Sequence, residues 1–142
     1  MFNVLIIDDD PHHEKLIKEV IYKSNLADIF CYGISDGDDA FHHLQSNYNY
    51  DLIIVDIYLH GVNGLNLVKY LNRNSNFAHT YIMVLSSSIS NEEIRIAQSY
   101  GADAFCAKPI SGKPEDFNSM KELINKVKKG KIKKGSPFVK CI

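Results

Sequence analysis

The chain has 142 residues, 45% hydrophobic and 23% charged, with a formal net charge of −1. That size and mixture suit one domain with a substantial core and exclude disordered and fibrous classes, and no apolar run approaches the roughly 20 residues that span a bilayer. The charge is unevenly spread: residues 121–142 hold eight lysines against Glu122 alone, whereas residues 1–120 hold 16 Asp and Glu against eight Lys and Arg.

The first apolar run, "FNVLII" (2–7), is followed by three aspartates and Pro11. It has neither the basic flank nor the small-residue cleavage site of a signal peptide. A helix is predicted over 12–24, with Leu16, Ile17, Val20 and Ile21 on one face and Pro11 suited to its first turn. "IFCYGI" (29–34) is a mixed run with a glycine and reads as an edge strand. A helix over 37–46 carries Ala40, Phe41 and Leu44. "LIIV" (52–55) is the third strand, and a helix over 64–73 carries Leu65, Val68 and Leu71. "YIMVL" (81–85) is the fourth strand, and "SNEE" opens a helix over 91–100, with Ser90 or Asn91 as its cap. "DAFCA" (103–107) is the fifth strand, followed by a helix over 115–128. Short, almost wholly apolar strands alternating with amphipathic helices predict a parallel sheet covered on both faces, an open α/β fold of five strand–helix units. Residues 1–129 form this domain, and 130–142, with two glycines, a proline and many lysines, read as a flexible basic tail.

Ligands of open parallel sheets sit outside the carboxyl ends of the strands. At those ends stand Asp8, Asp9 and Asp10 after the first strand, Asp56 at the third, Ser86, Ser87 and Ser88 after the fourth, and Lys108 with Pro109 after the fifth. Each alone has an ordinary explanation as a turn, a cap or a solvated loop. Jointly they bring carboxylates, hydroxyls and an ammonium to one sheet edge. Converging carboxylates suit a hard cation such as Mg2+, which takes one or two carboxylates, waters and a phosphoryl oxygen. Asp56, at the end of a buried strand, is a candidate nucleophile for phosphoryl transfer.

With the motifs "IIDDD", "DLIIVDIYLHGVNG", "IMVLSSS" and "GADAFCAKPI" in view, residues 2–128 resemble the receiver domain of two-component response regulators. The resemblance implies a flavodoxin-like (βα)5 doubly wound sheet with strand order 2-1-3-4-5. It implies Asp56 as phosphoacceptor, Asp9 and Asp56 as direct Mg2+ ligands with the backbone carbonyl of Tyr58, and Asp8 acting through water. Asp10 would cap the first helix. Ser86 and Phe105 would be the moving parts of the switch, Lys108 would pair with the phosphoryl group, and the peptide before Pro109 would be cis. The phosphoryl donor would be a histidine kinase or phosphotransfer protein, and the reader an output protein that the sequence does not name. Such a protein is a switch rather than a turnover enzyme, catalysing only its own phosphorylation and dephosphorylation.

Some positions depart from the pattern. His60 stands where a proline is usual, which would loosen the loop after Asp56, and Phe105 lacks a tyrosine hydroxyl. Bulky Tyr58, with Ser88, would shield an acyl phosphate from water. The pairs His12–His13 and His42–His43 read as surface or helix-flank residues, since adjacent helix positions face different ways. Cys31, Cys106 and Cys141 are odd in number without C-x-x-C spacing, which argues against a disulfide framework or zinc site and fits a cytoplasmic place. No membrane insertion is expected, and nucleic acid would bind only through the basic tail. Two rivals stand beside this reading: a scaffold of the same fold that is not phosphorylated, and an aspartyl-phosphate hydrolase. The second lacks its aspartate–x–aspartate signature, since Ile57 and Tyr58 follow Asp56.

Overall fold

The structure is a computed structural model that describes residues 1–23, 28–88, 90–108 and 114–141. The elements in chain order are β1 (Phe2–Ile7), α1 (Pro11–Lys23), β2 (Ile29–Ile34), α2 (Gly37–Leu44), β3 (Leu52–Asp56) and α3 (Gly64–Arg73). They continue as β4 (Tyr81–Ser86), α4 (Asn91–Tyr100), β5 (Ala104–Ala107), α5 (Asn118–Lys128) and β6 (Val139–Cys141). All strand pairs are parallel, and the sheet runs β2-β1-β3-β4-β5-β6. The first five strands take the flavodoxin-like order that the resemblance implies.

Alternation within each strand splits the core into two layers. Val4, Ile6, Ile54 and Met83 point to the side covered by α1 and α5, while Leu5, Ile7, Ile53 and Val84 point to α2, α3 and α4. The central strands are therefore buried on both faces, which is why they read as continuous apolar runs rather than alternating ones. Local chemistry places the helix starts. Asp36 caps α2 by accepting from the Asp38 and Asp39 amides, Asn63 caps α3 through Leu65, and Ser90 caps α4 through Glu93. Among the described residues, no helix is long and apolar enough to cross a membrane.

The carboxyl end of the chain differs from the sequence reading. The sequence predicts a tail that frays after Lys129, but Val139–Cys141 forms a sixth strand in register with Ala104–Cys106. Ile132 and Val139 pack against one core layer and Phe138 against the other. The two glycines read as signs of fraying are turns instead, at φ 73° (Gly130) and 92° (Gly135). The lysines masked this. The signal was the apolar set Ile132, Phe138 and Val139 set among them.

Candidate functional site

The carboxyl ends of β1, β3, β4 and β5 meet at one edge of the sheet, and the polar residues predicted there come together. Lys108 Nζ lies 2.7 Å from Asp8 Oδ2 and 2.9 Å from Asp56 Oδ2, so a cation from β5 bridges carboxylates from β1 and β3. Asp8, Asp56, Ser86 and Lys108 are all buried. Carboxylate oxygens of Asp8, Asp9 and Asp56 lie within 4.8 Å of one another, with Asp9 the most open of the three. Asp8 Oδ1 accepts from the Asp10 amide at 2.9 Å and Asp10 Oδ1 from His12 at 2.9 Å, so Asp10 caps α1 as expected.

Burial raises the Asp56 carboxyl above its ordinary range; Lys108 opposes this, and the charge of Asp8 adds to it. Burial alone would lower Lys108, but its hydrogen bonds to Asp8 and Asp56 outweigh that and hold the ammonium above its usual value. Lys108 pairs with two of the three clustered carboxylates, and Asp9 adds a third, leaving a surplus of acidic groups in a partly desolvated pocket.

The backbone around Asp56 is closely built. Oδ1 of Asp56 accepts from the Tyr58 amide at 3.2 Å, and the Gly64 amide donates to the Ile57 carbonyl at 3.0 Å. A Cβ on Gly64 would stand 1.9 Å from the Asp56 carbonyl oxygen, so only glycine lets α3 begin this close to the acceptor strand. The loop after Asp56, which holds His60, is tied at two points. The Gly37 amide donates to the His60 carbonyl at 2.8 Å, and Asp38 Oδ1 accepts from the Val62 amide at 3.0 Å, so the start of α2 pins it. His60 itself is exposed, with Nε2 3.5 Å from Asp9 Oδ2.

Ser86 Oγ donates to the Ser88 carbonyl at 2.7 Å. Phe105 is fully buried under α3 and α4. Tyr58 projects into solvent, 54% exposed, and its hydroxyl donates to the Glu93 carboxylate, whose other oxygen accepts from Ser88 Oγ at 3.4 Å. The peptide before Pro109 lies outside the described residues.

Two neighbours of the site escaped the sequence reading. His13 Nδ1 lies 3.2 Å from Lys108 Nζ and 3.5 Å from Asp10 Oδ2, so it flanks the buried cation rather than facing bulk solvent. Glu93, the last residue of the "SNEE" that opens α4, is the second, and nothing in its spacing points across to Tyr58. His43, by contrast, is a packing residue. It stacks on Tyr32 with centroids 5.4 Å apart and lies 2.7 Å from the Tyr50 hydroxyl.

Comparison with known proteins gives one consistent answer. The sequence model of the response regulator receiver domain matches residues 4–127. Transcriptional regulatory protein MalR of Bacillus subtilis is 32% identical over 110 residues, covering 78% of this chain and 45% of MalR. Sensory/regulatory protein RpfC of Xanthomonas campestris is 30% identical over 109 residues, covering 75% of this chain and 14% of RpfC. The chain thus spans less than half the length of these relatives. Among solved structures, the receiver domain of Francisella response regulator 1452 is 26% identical with a TM-score of 0.74, covering 93% of this chain and all of that one. The signal receiver domain of a DNA-binding response regulator from Colwellia psychrerythraea shares the fold, with a TM-score of 0.79 at 16% identity, covering 91% of this chain and 99% of that one.

Proposed function

The chain belongs to the response regulator receiver domain family, and from that premise we propose that it accepts a phosphoryl group on Asp56 from a phosphohistidine of a kinase or phosphotransfer protein. The observation that carries this is the Lys108 bridge between Asp8 and Asp56, with Asp9 completing a carboxylate cluster at the open edge.

In the transfer, an Asp56 carboxylate oxygen forms the new P–O bond while the P–N bond to the donor imidazole breaks. The imidazole keeps the electron pair and takes a proton from solvent. Such a reaction needs little covalent help from the protein beyond alignment and neutralisation of charge on the phosphoryl oxygens. Lys108 fixes one Asp56 oxygen and the Tyr58 amide the other, so the carboxylate is held before the donor arrives. The oxygen-only donor set and its surplus negative charge fit a hard divalent cation. Asp8, Asp9 and Asp56, with the Tyr58 carbonyl, would hold Mg2+. When bound it would neutralise charge on the phosphoryl oxygens.

The signal is a shift between two arrangements. Ser86 leaves the Ser88 carbonyl for the phosphoryl group, and Phe105, inward in this structure, repacks or locks beneath α4. The face formed by α4, β5 and α5 carries the change to an output protein. The three free cysteines support a cytoplasmic place. The protein acts as a switch, with hydrolysis of its own acyl phosphate as the reset.

The test is the intact mass after incubation with Mg2+ and acetyl phosphate. One added phosphoryl group is expected, labile to hydroxylamine and lost in Asp56→Asn. No adduct, with phosphoramidate tried as well, overturns the reading in favour of a scaffold that is not phosphorylated.

A further inference from the structure

Cys106 and Cys141 are register partners on the neighbouring strands β5 and β6. Both side chains point to the layer under α5, where Cys106 is 1% exposed and Cys141 is partly open to solvent. As register partners on adjacent strands the two side chains stand side by side in that layer, and Cys141 Sγ lies 3.9 Å from the Ser119 carbonyl oxygen. Directly registered residues on neighbouring strands stand about 4.8 Å apart, inside the roughly 4.4–6.8 Å Cα separation that a disulfide spans. β6 has only three residues and, among the described residues, no strand on its outer side, so it has the freedom to make the small adjustment the bond requires.

We propose that Cys106 and Cys141 form a reversible dithiol–disulfide pair, a redox modification site at the outer edge of the sheet whose oxidant is a peroxide. The inference stands apart from the phosphoacceptor reading, since neither sulfur touches the carboxylate cluster.

The roles of the two sulfurs follow from their surroundings. The contact with Cys106 draws the Cys141 thiol down, against the effect of burial, whereas that same contact and burial push Cys106 up. Cys141, partly open to solvent while Cys106 is buried, is the sulfur that a peroxide reaches, and as the thiolate it attacks first. Its sulfur takes one oxygen of hydrogen peroxide as the O–O bond breaks, releasing hydroxide and giving a sulfenic acid. Cys106 then attacks the Cys141 sulfur, the S–O bond breaks, and the departing hydroxide takes up the Cys106 proton as water. Two thiols are oxidised to one disulfide, and one peroxide is reduced to two waters.

Cys31 serves as an internal control. It sits on β2, at the opposite edge of the sheet, and burial raises its thiol. It has no route to either partner within the folded chain. Oxidation of the pair would tie β6 covalently to the strand that carries Phe105 and leads into Lys108.

The experiment uses the full chain, folded, with and without hydrogen peroxide, followed by denaturation, maleimide labelling, intact mass and peptide mapping. The expected result is loss of two hydrogens, one remaining maleimide site at Cys31, and a linked peptide joining Cys106 to Cys141 that dithiothreitol reverses. Cys31→Ser keeps the linked peptide and Cys141→Ser loses it. Three labelled thiols after oxidation overturn the proposal. So does Cys141 as a sulfinic acid beside a labelled Cys106, or a disulfide joining two chains.

Discussion

The buried ammonium and its carboxylates set opposite trends at the residue scale. Because the Asp56 carboxyl is raised, ionising it costs the folded protein more than the unfolded one, even with Lys108 beside it. Asp56→Asn removes that cost while keeping the shape. In metal-free buffer at pH 7 the variant should melt a few degrees higher than the parent, a shift on the order of 1 kcal/mol for a domain of this size. The sign with pH follows from the direction of the shift. A carboxyl whose folded pKa is raised binds its proton more readily when folded, so the parent regains stability as pH falls through that value. Melting curves from pH 7 downward should show the gap closing. Lys108→Met works the other way, since it leaves Asp8 and Asp56 buried without a counter-charge. It should cost about 3 kcal/mol in urea unfolding without metal, with Mg2+ restoring more stability to the variant than it adds to the parent.

Most secondary-structure elements were legible because their signals are local. Apolar runs marked the buried strands, and Ser90 caps α4 where the sequence places a cap, while the caps Asp36 and Asn63 emerge only in the structure. Links between elements were not legible. Tyr58 follows β3 and Glu93 opens α4, 35 residues on, and no periodicity pairs them. Likewise, nothing local announces the tie from Asp38 to the Val62 amide across the loop that holds His60. The Tyr58–Glu93–Ser88 group bridges the acceptor loop to α4 at the rim of the site and so can shield an acyl phosphate from water. Tyr58→Ala should shorten the lifetime of phosphorylated Asp56 about threefold to tenfold, near 1 kcal/mol in barrier. Tyr58→Phe should fall between. The measurement is loss of the phosphoryl adduct over time, and an unchanged rate for Tyr58→Ala would remove Tyr58 from that role.

For the molecule as a whole, the terminal strand is part of the structural frame. Lys134 Nζ meets Asp103 Oδ2 at 3.0 Å, and the same carboxylate oxygen accepts from the Ile82 amide at 2.9 Å, so a tail lysine neutralises a buried group between β4 and β5. Ending the chain after Lys129 removes this cation and uncovers the surfaces under Ile132, Phe138 and Val139. Partial burial of three such side chains amounts to roughly 3 kcal/mol, which should appear as a lower urea midpoint for the shortened chain. An unchanged midpoint would return the segment to the status of a loose tail. Lys108 reaches across the molecule in a comparable way, 100 positions from Asp8. A nascent polypeptide leaving the ribosome holds its acidic residues long before the cation that bridges them emerges. The acceptor site is therefore complete only once β5 has emerged, and the chemistry of Asp56 reports that β5 has joined the sheet.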